Sequence, residues 1–242
     1  QFPECVQNNF LMDSVHIPVK KRFLVGSVQV NRWDVEKPNY GLSDFDLEQA
    51  QGEAHAVATS TQADVVILSD YNKGLFNSKH NWIGAFPKAI TIVDPKKGPL
   101  SRWKGCTVFK PNAKEAKDLS GYSNWQDQAK AFYTVLECKS VVMTHGGDGV
   151  RGIHRGQFFE FIPDEEVKVQ SVVGAGDCFC AIFAMAIGLG MEAPEAAQVA
   201  WKAGSVYVQH DLNKPISPVE LLGGVVLPQD LTNRNFKLVM AN

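Results

Sequence analysis

The sequence has no apolar run long enough to cross a membrane and no large excess of charge of either sign. Its longest apolar stretch, residues 181–189, is far shorter than the roughly 20 residues that a bilayer-spanning helix needs. Lysine and arginine together number 24, aspartate and glutamate 26, so the formal net charge is −2. This balance offers no electrostatic attraction for nucleic acid or for an anionic membrane surface, and we expect neither as a partner.

Cysteines are few and follow no spacing pattern. They are Cys5, Cys106, Cys138, Cys178 and Cys180. An odd and unpatterned set favours reduced thiols in a cytosol, so we expect a cytoplasmic protein. Cys178 and Cys180 form a C-x-C pair, but no second cysteine or histidine cluster lies near them in sequence, which disfavours a zinc site.

The hydrophobic pattern alternates between short buried strands and amphipathic helices. Strands are predicted within 21–35 and at 63–70, 90–94, 106–110, 140–144, 150–154, 157–162 and 167–172. Helices are predicted at 43–58, with Ser43 as N-cap, and at 113–119, 125–138, 176–189, 194–209 and 217–222. Such alternation predicts an α/β fold with a doubly wound, mostly parallel sheet flanked by helices, whose ligands bind beyond the carboxyl ends of the strands.

The most informative motif is Gly174-Ala-Gly-Asp177, which runs directly into an apolar helix. Glycines at 174 and 176 allow a tight turn, and the amides of the first helical turn can then form an anion hole. Asp177 beside that hole is placed to take a proton from a hydroxyl group. The alternative is a glycine-rich helix start in which Asp177 only complements the helix dipole.

Three further polar motifs follow predicted strands. Asn112 and Glu115 lie three residues apart on one helical turn, where they could organise hydrated Mg²⁺ and phosphates; the alternative is a capping box. The glycines of the 144–149 segment would allow close approach to a nucleotide, although a plain turn has the same composition. The Asp94-Pro-Lys96 motif places an acid and a base at a strand end, where a solvated turn is the alternative.

Taken together and in this order, the motifs resemble those of the ribokinase-like (PfkB) sugar kinases. The elements are Ser69-Asp-Tyr-Asn-Lys-Gly74, Asp94-Pro-Lys96, Lys110-Pro-Asn-x-x-Glu115, Thr144-x-Gly146 and Gly174-Ala-Gly-Asp177. Within the family, the first two are most similar to the heptose 7-phosphate kinase domains that are fused to a heptose 1-phosphate adenylyltransferase domain. The 29–36 and 216–220 segments are similar to that subgroup too, and the resemblance covers roughly residues 15–225.

The resemblance implies a role for each matching residue. Asp177 would be the general base, with Gly174, Ala175 and Gly176 as the anion hole. Asn112 and Glu115 would arrange Mg²⁺, through water, and the phosphates of ATP. The nucleotide site would be lined by Thr144, Gly146, Gly149 and Lys96, with a helix at 200–208 against the adenine. Asp70, Lys73 and Arg32 would lie on the substrate side.

The resemblance also predicts how the chain is divided. Residues 1–40 would be a remnant of the lid and sugar-side strands, 41–228 the nucleotide-binding and catalytic core, and 229–242 a linker or the first strand of a following adenylyltransferase-like domain. A terminal strand of the same domain is the alternative for that tail. The chain begins with Gln1 and lacks the family's N-terminal sugar-gripping segment ahead of His16. We expect that segment to be supplied in cis by a further part of the protein or by a partner, with a homodimer as one form of it.

Two functions therefore follow as expectations. The first is an ATP- and Mg²⁺-dependent kinase acting on a sugar or sugar phosphate, with heptose 7-phosphate as the expected substrate. The second is a truncated, non-catalytic kinase-like module that serves as a scaffold or subunit and still binds nucleotide. The retained Asp177, Asn112 and Glu115 favour the enzyme, and the missing sugar-binding segment favours the scaffold. An NAD-dependent Rossmann enzyme is disfavoured because no strand–GxGxxG–helix unit is present.

Overall fold

A computed structural model describes residues 19–25, 28–35, 42–77, 79–164, 166–210, 216 and 238–241. The strands are β1 (Val19–Val25), β2 (Val28–Val35), β3 (Val65–Ser69), β4 (Ile90–Asp94), β5 (Val108–Phe109), β6 (Ser140–Thr144), β7 (Val150–His154), β8 (Gln157–Phe161) and β9 (Leu238–Ala241). The α-helices are α1 (Asp44–Ser60), α2 (Ala113–Ser120), α3 (Trp125–Leu136), α4 (Ala175–Gly188) and α5 (Ala193–Tyr207). Short 3₁₀ helices span Leu100–Trp103 and Gly146–Asp148.

Seven of these strands form one sheet in the order β8-β7-β6-β5-β4-β3-β9. The strands from β9 to β6 pair in parallel, and β7 and β8 continue the sheet as an antiparallel hairpin. The predicted α/β fold with a doubly wound, mostly parallel sheet is confirmed. Strands β1 and β2 form a separate antiparallel ribbon, in the region where the sequence predicts one or two strands within 21–35.

Helices cover both faces of the large sheet. Successive strand residues point to opposite sides, and here both sides are apolar. Val66 and Leu68 of β3 pack with α1, α2 and α3 in one apolar cluster. Val65 and Ile67 of the same strand pack with α4 and α5 in the other. Since both faces are buried, the parallel strands are almost wholly apolar up to their carboxyl ends, where the polar residues begin.

Local chain chemistry accounts for where the helices start. Ser43 caps α1 in a capping box with Asp46, as predicted for this N-cap. Asn112 and Glu115 form a second capping box at the start of α2. No helix in the described part of the chain combines the length and apolar character needed to cross a membrane.

The predicted strand at 167–172 is wrong. In the structure residues 166–172 belong to no helix or strand. The amides of Gln170 and Ser171 donate to the carbonyl of Val208 at the end of α5, at 2.8 and 3.1 Å. Valine and polar residues alternate there as in a strand, but the backbone donors are satisfied by a helix end rather than by a neighbouring strand.

The C-terminal part of the described chain contributes one strand to the sheet. Leu238–Ala241 forms β9, which pairs in parallel with β3 at the sheet edge. Its assignment to a following domain, like the proposed divisions at 1–40, 41–228 and 229–242, stays a prediction. The predicted helix at 217–222 lies outside the described residues.

Candidate functional site

A cavity of about 210 Å³ lies at the carboxyl ends of the parallel strands, beside the start of α4. Eight residues predicted from sequence line it together: Asp70, Lys96, Asn112, Glu115, Thr144, Gly174, Gly176 and Asp177. Four more that were not assigned a role also line it: Ser69, Tyr71, Asp94 and Lys110. The site therefore lies where a doubly wound sheet is expected to bind its ligand.

The four unassigned residues could have been identified as site residues from the sequence. Ser69 and Asp94 are the last residues of β3 and β4, Tyr71 follows β3 after one residue, and Lys110 follows β5 directly. Each stands within or beside a motif whose other members were assigned. The principle that ligands bind beyond parallel strand ends applies to them equally, so the strand boundaries alone would have identified them.

The N-terminus of α4 presents unpartnered backbone donors to the cavity. Gly174 is the N-cap, with φ of 81°, and it provides no side-chain cap. Within the described part of the chain, the amides of Gly176 and Asp177 have no hydrogen-bond acceptor, whereas those of Ala175 and Cys178 donate to the carbonyls of Val172 and Gly174. Free first-turn amides together with the helix dipole favour an anion at this point.

The two glycines of this turn differ in whether the surrounding structure requires them. A Cβ at Gly174 would lie 2.5 Å from the Tyr207 hydroxyl, and the positive φ disfavours any side chain. A Cβ at Gly176 would meet no atom within 4 Å, and its φ is not in the left-handed region. No contact within the described chain therefore requires glycine at 176. The open space beside this residue is available to a ligand.

Asp177 stands exposed in this first turn. The Tyr71 hydroxyl donates to its Oδ1 at 3.2 Å. Burial, together with the negative charges of Asp177 and Asp94, raises the pKa of Tyr71 to about 12. The phenol is therefore protonated at neutral pH and acts as a donor to the carboxylate.

Asn112 and Glu115 combine the two roles considered for them. The capping box exists: the Glu115 amide donates to Asn112 Oδ1 and the Asn112 amide donates to Glu115 Oε2, both at 2.9 Å. Glu115 Oε1 also contacts the Lys96 ammonium group. Both side chains line the cavity, so capping holds this carboxylate in place at the wall of the site.

A buried ion pair between Lys110 and Asp94 forms part of the cavity lining. Lys110 Nζ lies 3.0 Å from Asp94 Oδ1, and the lysine side chain is only 3% exposed. Burial alone would lower the pKa of Lys110, but the neighbouring Asp94 carboxylate raises it above its ordinary value. Lys110 thus stays cationic in the cavity where an anion would bind at the start of α4.

Asp70 is held by a second buried ion pair. Arg102 Nη2 donates to Asp70 Oδ2 at 2.6 Å, with side chains that are 6% and 2% exposed. Burial raises the pKa of Asp70, and the positive charge of Arg102 opposes that rise. Because Asp70 also accepts from the Asn72 amide at 2.7 Å, both of its oxygens are engaged within the chain.

Five residues assigned from sequence do not line the cavity: Arg32, Lys73, Gly146, Gly149 and Ala175. Arg32 lies on the β1–β2 ribbon and donates to Asp34 at 2.7 Å. Ala175 opens α4 between the two lining glycines, and Lys73 is half-buried in the segment after β3.

The glycine segment after β6 forms a turn next to α5. The indole of Trp201 donates to the Gly146 carbonyl at 2.7 Å, which ties this turn to the 200–208 segment. A Cβ at Gly149 would lie 1.9 Å from the Phe161 carbonyl oxygen, so tight packing against the end of β8 already requires that glycine. Thr144, the last residue of β6, is the member of this segment that reaches the cavity.

Comparisons with known proteins show the family of the chain. Residues 31–217 match the family model described as pfkB family carbohydrate kinase. The bifunctional protein HldE of Caulobacter vibrioides is 34% identical over 202 residues, which are 78% of this chain and 40% of that protein. The chain thus spans well under half the length of this curated relative.

Solved structures share the fold at low sequence identity. A phosphofructokinase-2 mutant from Escherichia coli matches with a TM-score of 0.66 and 19% identity, over 80% of this chain and 65% of that one. Arabidopsis thaliana ribokinase, solved with ribose and ATP, matches with a TM-score of 0.53 and 21% identity, over 74% of this chain and 60% of that one.

Proposed function

Because the chain belongs to the pfkB family of carbohydrate kinases, we propose that it carries the nucleotide-binding and catalytic side of an ATP-dependent sugar kinase. The observation that carries the proposal is Asp177 beside the unpartnered amides of the α4 N-terminus, in one cavity with Lys96 and Lys110. This arrangement combines a proton acceptor, an anion hole and fixed positive charge. Phosphoryl transfer requires these three together.

In the proposed reaction, the oxygen of a sugar hydroxyl attacks the γ-phosphorus of ATP. As that bond forms, the bond from the γ-phosphorus to the bridging oxygen breaks and ADP leaves. Asp177 accepts the hydroxyl proton as general base. The amides of Gly176 and Asp177, with the helix dipole, stabilise the negative charge on the transferred group.

ATP would extend from the anion hole along the strand ends towards α5. Thr144 and the Gly146–Asp148 turn would border the nucleotide, and the ammonium groups of Lys96 and Lys110 would face its phosphates. Cationic groups in a partly enclosed site attract a polyphosphate more strongly than they would in bulk water. The solved complex of Arabidopsis thaliana ribokinase with ribose and ATP supports a nucleotide in this fold.

The residues present fit a magnesium ion held through water. Glu115 is kept at the cavity wall by its capping box, and the side-chain amide of Asn112 stands beside it. Mg²⁺ retains most of its waters and binds proteins through few carboxylates, so these two side chains would hold its hydration shell. When bound with ATP, the ion neutralises phosphate charge.

The proposed acceptor is heptose 7-phosphate, at its anomeric hydroxyl. Support comes from the 34% identity to the bifunctional protein HldE and from the Ser69–Gly74 and Asp94–Lys96 motifs. In this proposal the nucleotide and the reacting groups are held by residues 41–228.

The test is a phosphorus NMR assay on the full-length protein with Mg·ATP and heptose 7-phosphate. We expect a new anomeric phosphate signal that grows with ADP release. Fructose 6-phosphate and ribose, offered in the same assay, should give slower turnover. Binding of Mg·ATP without any sugar-dependent ADP release would contradict the proposal and favour a nucleotide-binding scaffold.

A further inference from the structure

The segment that follows β3 is tied by hydrogen bonds beside the candidate base. The Asp70 amide donates to the Asp94 carbonyl at 2.9 Å, which continues the pairing of β3 with β4. Asp70 Oδ1 accepts from the Asn72 amide at 2.7 Å, and Asn72 has φ of 55°. Tyr71, between these two residues, therefore has its backbone constrained on both sides.

Arg102 stabilises this turn through three hydrogen bonds. Its guanidinium donates to Asp70 Oδ2 at 2.6 Å, to the Phe76 carbonyl at 2.6 Å and to the Lys97 carbonyl at 2.9 Å. The segments after β3 and β4 are thus joined through one buried cation. Asp70 therefore acts as part of the support for Tyr71, since both of its carboxylate oxygens are engaged within the chain.

The Tyr71 hydroxyl reaches across the cavity to Asp177, 106 positions further along the chain, and donates to Oδ1 at 3.2 Å. Within the described part of the chain, Oδ2 of Asp177 has no hydrogen-bond partner. The two oxygens of the carboxylate therefore differ: Oδ1 accepts from a tyrosine, and Oδ2, on a side chain that lines the cavity, has no partner among the described residues. An exposed aspartate in a first helical turn otherwise has freedom to rotate.

We propose that Tyr71 is a positioning residue, which orients Asp177 so that Oδ2 receives the proton of the sugar hydroxyl. The inference rests on the proposed kinase function and adds a residue to it. Tyr71 remains a donor across the neutral range because its phenol does not ionise there. General-base catalysis depends on hydrogen-bond reach, so a carboxylate that rotates away spends less time in the productive geometry.

The experiment is a double-mutant cycle in the full-length protein: wild type, Tyr71→Phe, Asp177→Ala and the double variant, each assayed for sugar-dependent ADP release. Phenylalanine keeps the ring and removes only the hydroxyl. We expect Tyr71→Phe to lower kcat by about 10- to 100-fold, the range for a hydrogen bond to a charged group. The KM for ATP should not change. In the Asp177→Ala background the same change should have no further effect, because no carboxylate remains to be oriented.

The matched control is Tyr122→Phe, which removes a phenol hydroxyl from an exposed position between α2 and α3 and should leave kcat unchanged. Thermal melting of all variants separates misfolding from loss of orientation.

An unchanged kcat in Tyr71→Phe would overturn the inference while leaving the kinase proposal intact. An equal loss in both backgrounds would overturn it in favour of a structural role, and a raised sugar-phosphate KM at constant kcat would assign Tyr71 to substrate binding. An inactive wild type would overturn the kinase proposal and this inference with it.

Discussion

Asp177 lies where a proton acceptor and a helix-dipole partner would both be placed, and its neighbours favour the first. A carboxylate that only complements the dipole would have no need of a tyrosine donor from another strand end. At the scale of single residues, this contact supports the proposal that the site receives an anion and a hydroxyl group.

Asp177→Asn should separate proton acceptance from capping. The amide keeps the shape of the side chain and can accept the Tyr71 hydrogen bond, but it cannot take a proton at neutral pH. We expect turnover of the full-length protein to fall by about 10²- to 10⁴-fold, with ATP affinity nearly unchanged. Steady-state kinetics and ATP titration measure both, with Asp118→Asn on the exposed side of α2 as the control. Near-normal turnover would assign Asp177 to capping.

The two glycines of the α4 turn should respond in opposite ways to alanine. Gly174→Ala meets the Tyr207 hydroxyl and a positive φ, so it should lower the free energy of unfolding by about 1–2 kcal/mol. Gly176→Ala meets no atom within 4 Å and gains helix propensity, so stability should rise by up to about 1 kcal/mol. Its methyl group would nevertheless stand at the cavity wall, and Mg·ATP should bind more weakly.

Urea denaturation and nucleotide titration of both variants measure these effects. If Gly176→Ala bound Mg·ATP as tightly as the wild type, the space beside this glycine would not be ligand space.

At the scale of elements, the site depends on buried ion pairs that join segments following different strands. The Arg102–Asp70 pair joins the segments after β3 and β4, and the Lys110–Asp94 pair joins β4 to the residue after β5. Both pairs are buried at the carboxyl edge of the sheet. Removing one partner of such a pair leaves an uncompensated charge, which is costly even where the intact pair contributes little net stability.

Arg102→Met keeps much of the side-chain volume and removes the charge. We expect the free energy of unfolding at neutral pH to fall by about 3–5 kcal/mol. The matched control is Lys104→Met, which breaks the exposed pair with Glu137 and should cost at most about 1 kcal/mol. Urea denaturation of both variants gives the comparison, and equal losses would contradict the view that the Arg102 pair supports the site.

The stability deficit of Arg102→Met should also depend on pH. Burial raises the pKa of Asp70 above its ordinary value of 3.8, and Arg102 opposes that rise. The stability contributed by a carboxyl group with a raised folded pKa is fully present below the unfolded value and lost as the pH rises through the folded one. Without Arg102 the pKa of Asp70 rises further, so the deficit relative to wild type should grow as the pH rises through the pKa that Asp70 has in the folded wild type, which lies above 3.8. A deficit that is the same at roughly pH 5 and pH 7.5 would contradict this account.

At the scale of the whole molecule, ligand binding should stabilise the folded chain because the site gathers residues from β3 to β6 and from α4. Unfolding separates these elements and destroys the cavity. A ligand at a hundred times its dissociation constant adds about 2.7 kcal/mol to the free energy of unfolding. We expect Mg·ATP to raise the melting temperature by several degrees, and ATP with excess EDTA to raise it less. No shift at millimolar Mg·ATP would count against a nucleotide site.

Much of the architecture follows from local pattern. The strands at 90–94, 140–144 and 150–154 match their predicted bounds, since apolar runs bounded by polar residues specify where a buried strand starts and ends. The residues at and after the ends of the strands at 90–94 and 140–144 could be grouped into one site because parallel strands bring their carboxyl ends to one edge. The segment at 167–172 shows the limit of this reasoning, because alternation describes a strand's side chains but not the partner that would pair with its backbone.

The sequence by itself determined the alternation of strands and helices, the capping of α1 and α2, and the set of polar residues at the strand ends. Periodicity and caps are local properties, so they can be read from neighbouring residues. Only the tertiary structure decided which of those polar groups meet. Arg102 reaches Asp70 over 32 positions and Tyr71 reaches Asp177 over 106, because strand order places β4 beside β3 and the start of α4 above both. Contacts at that separation depend on how the layers pack, which no local pattern of residues specifies.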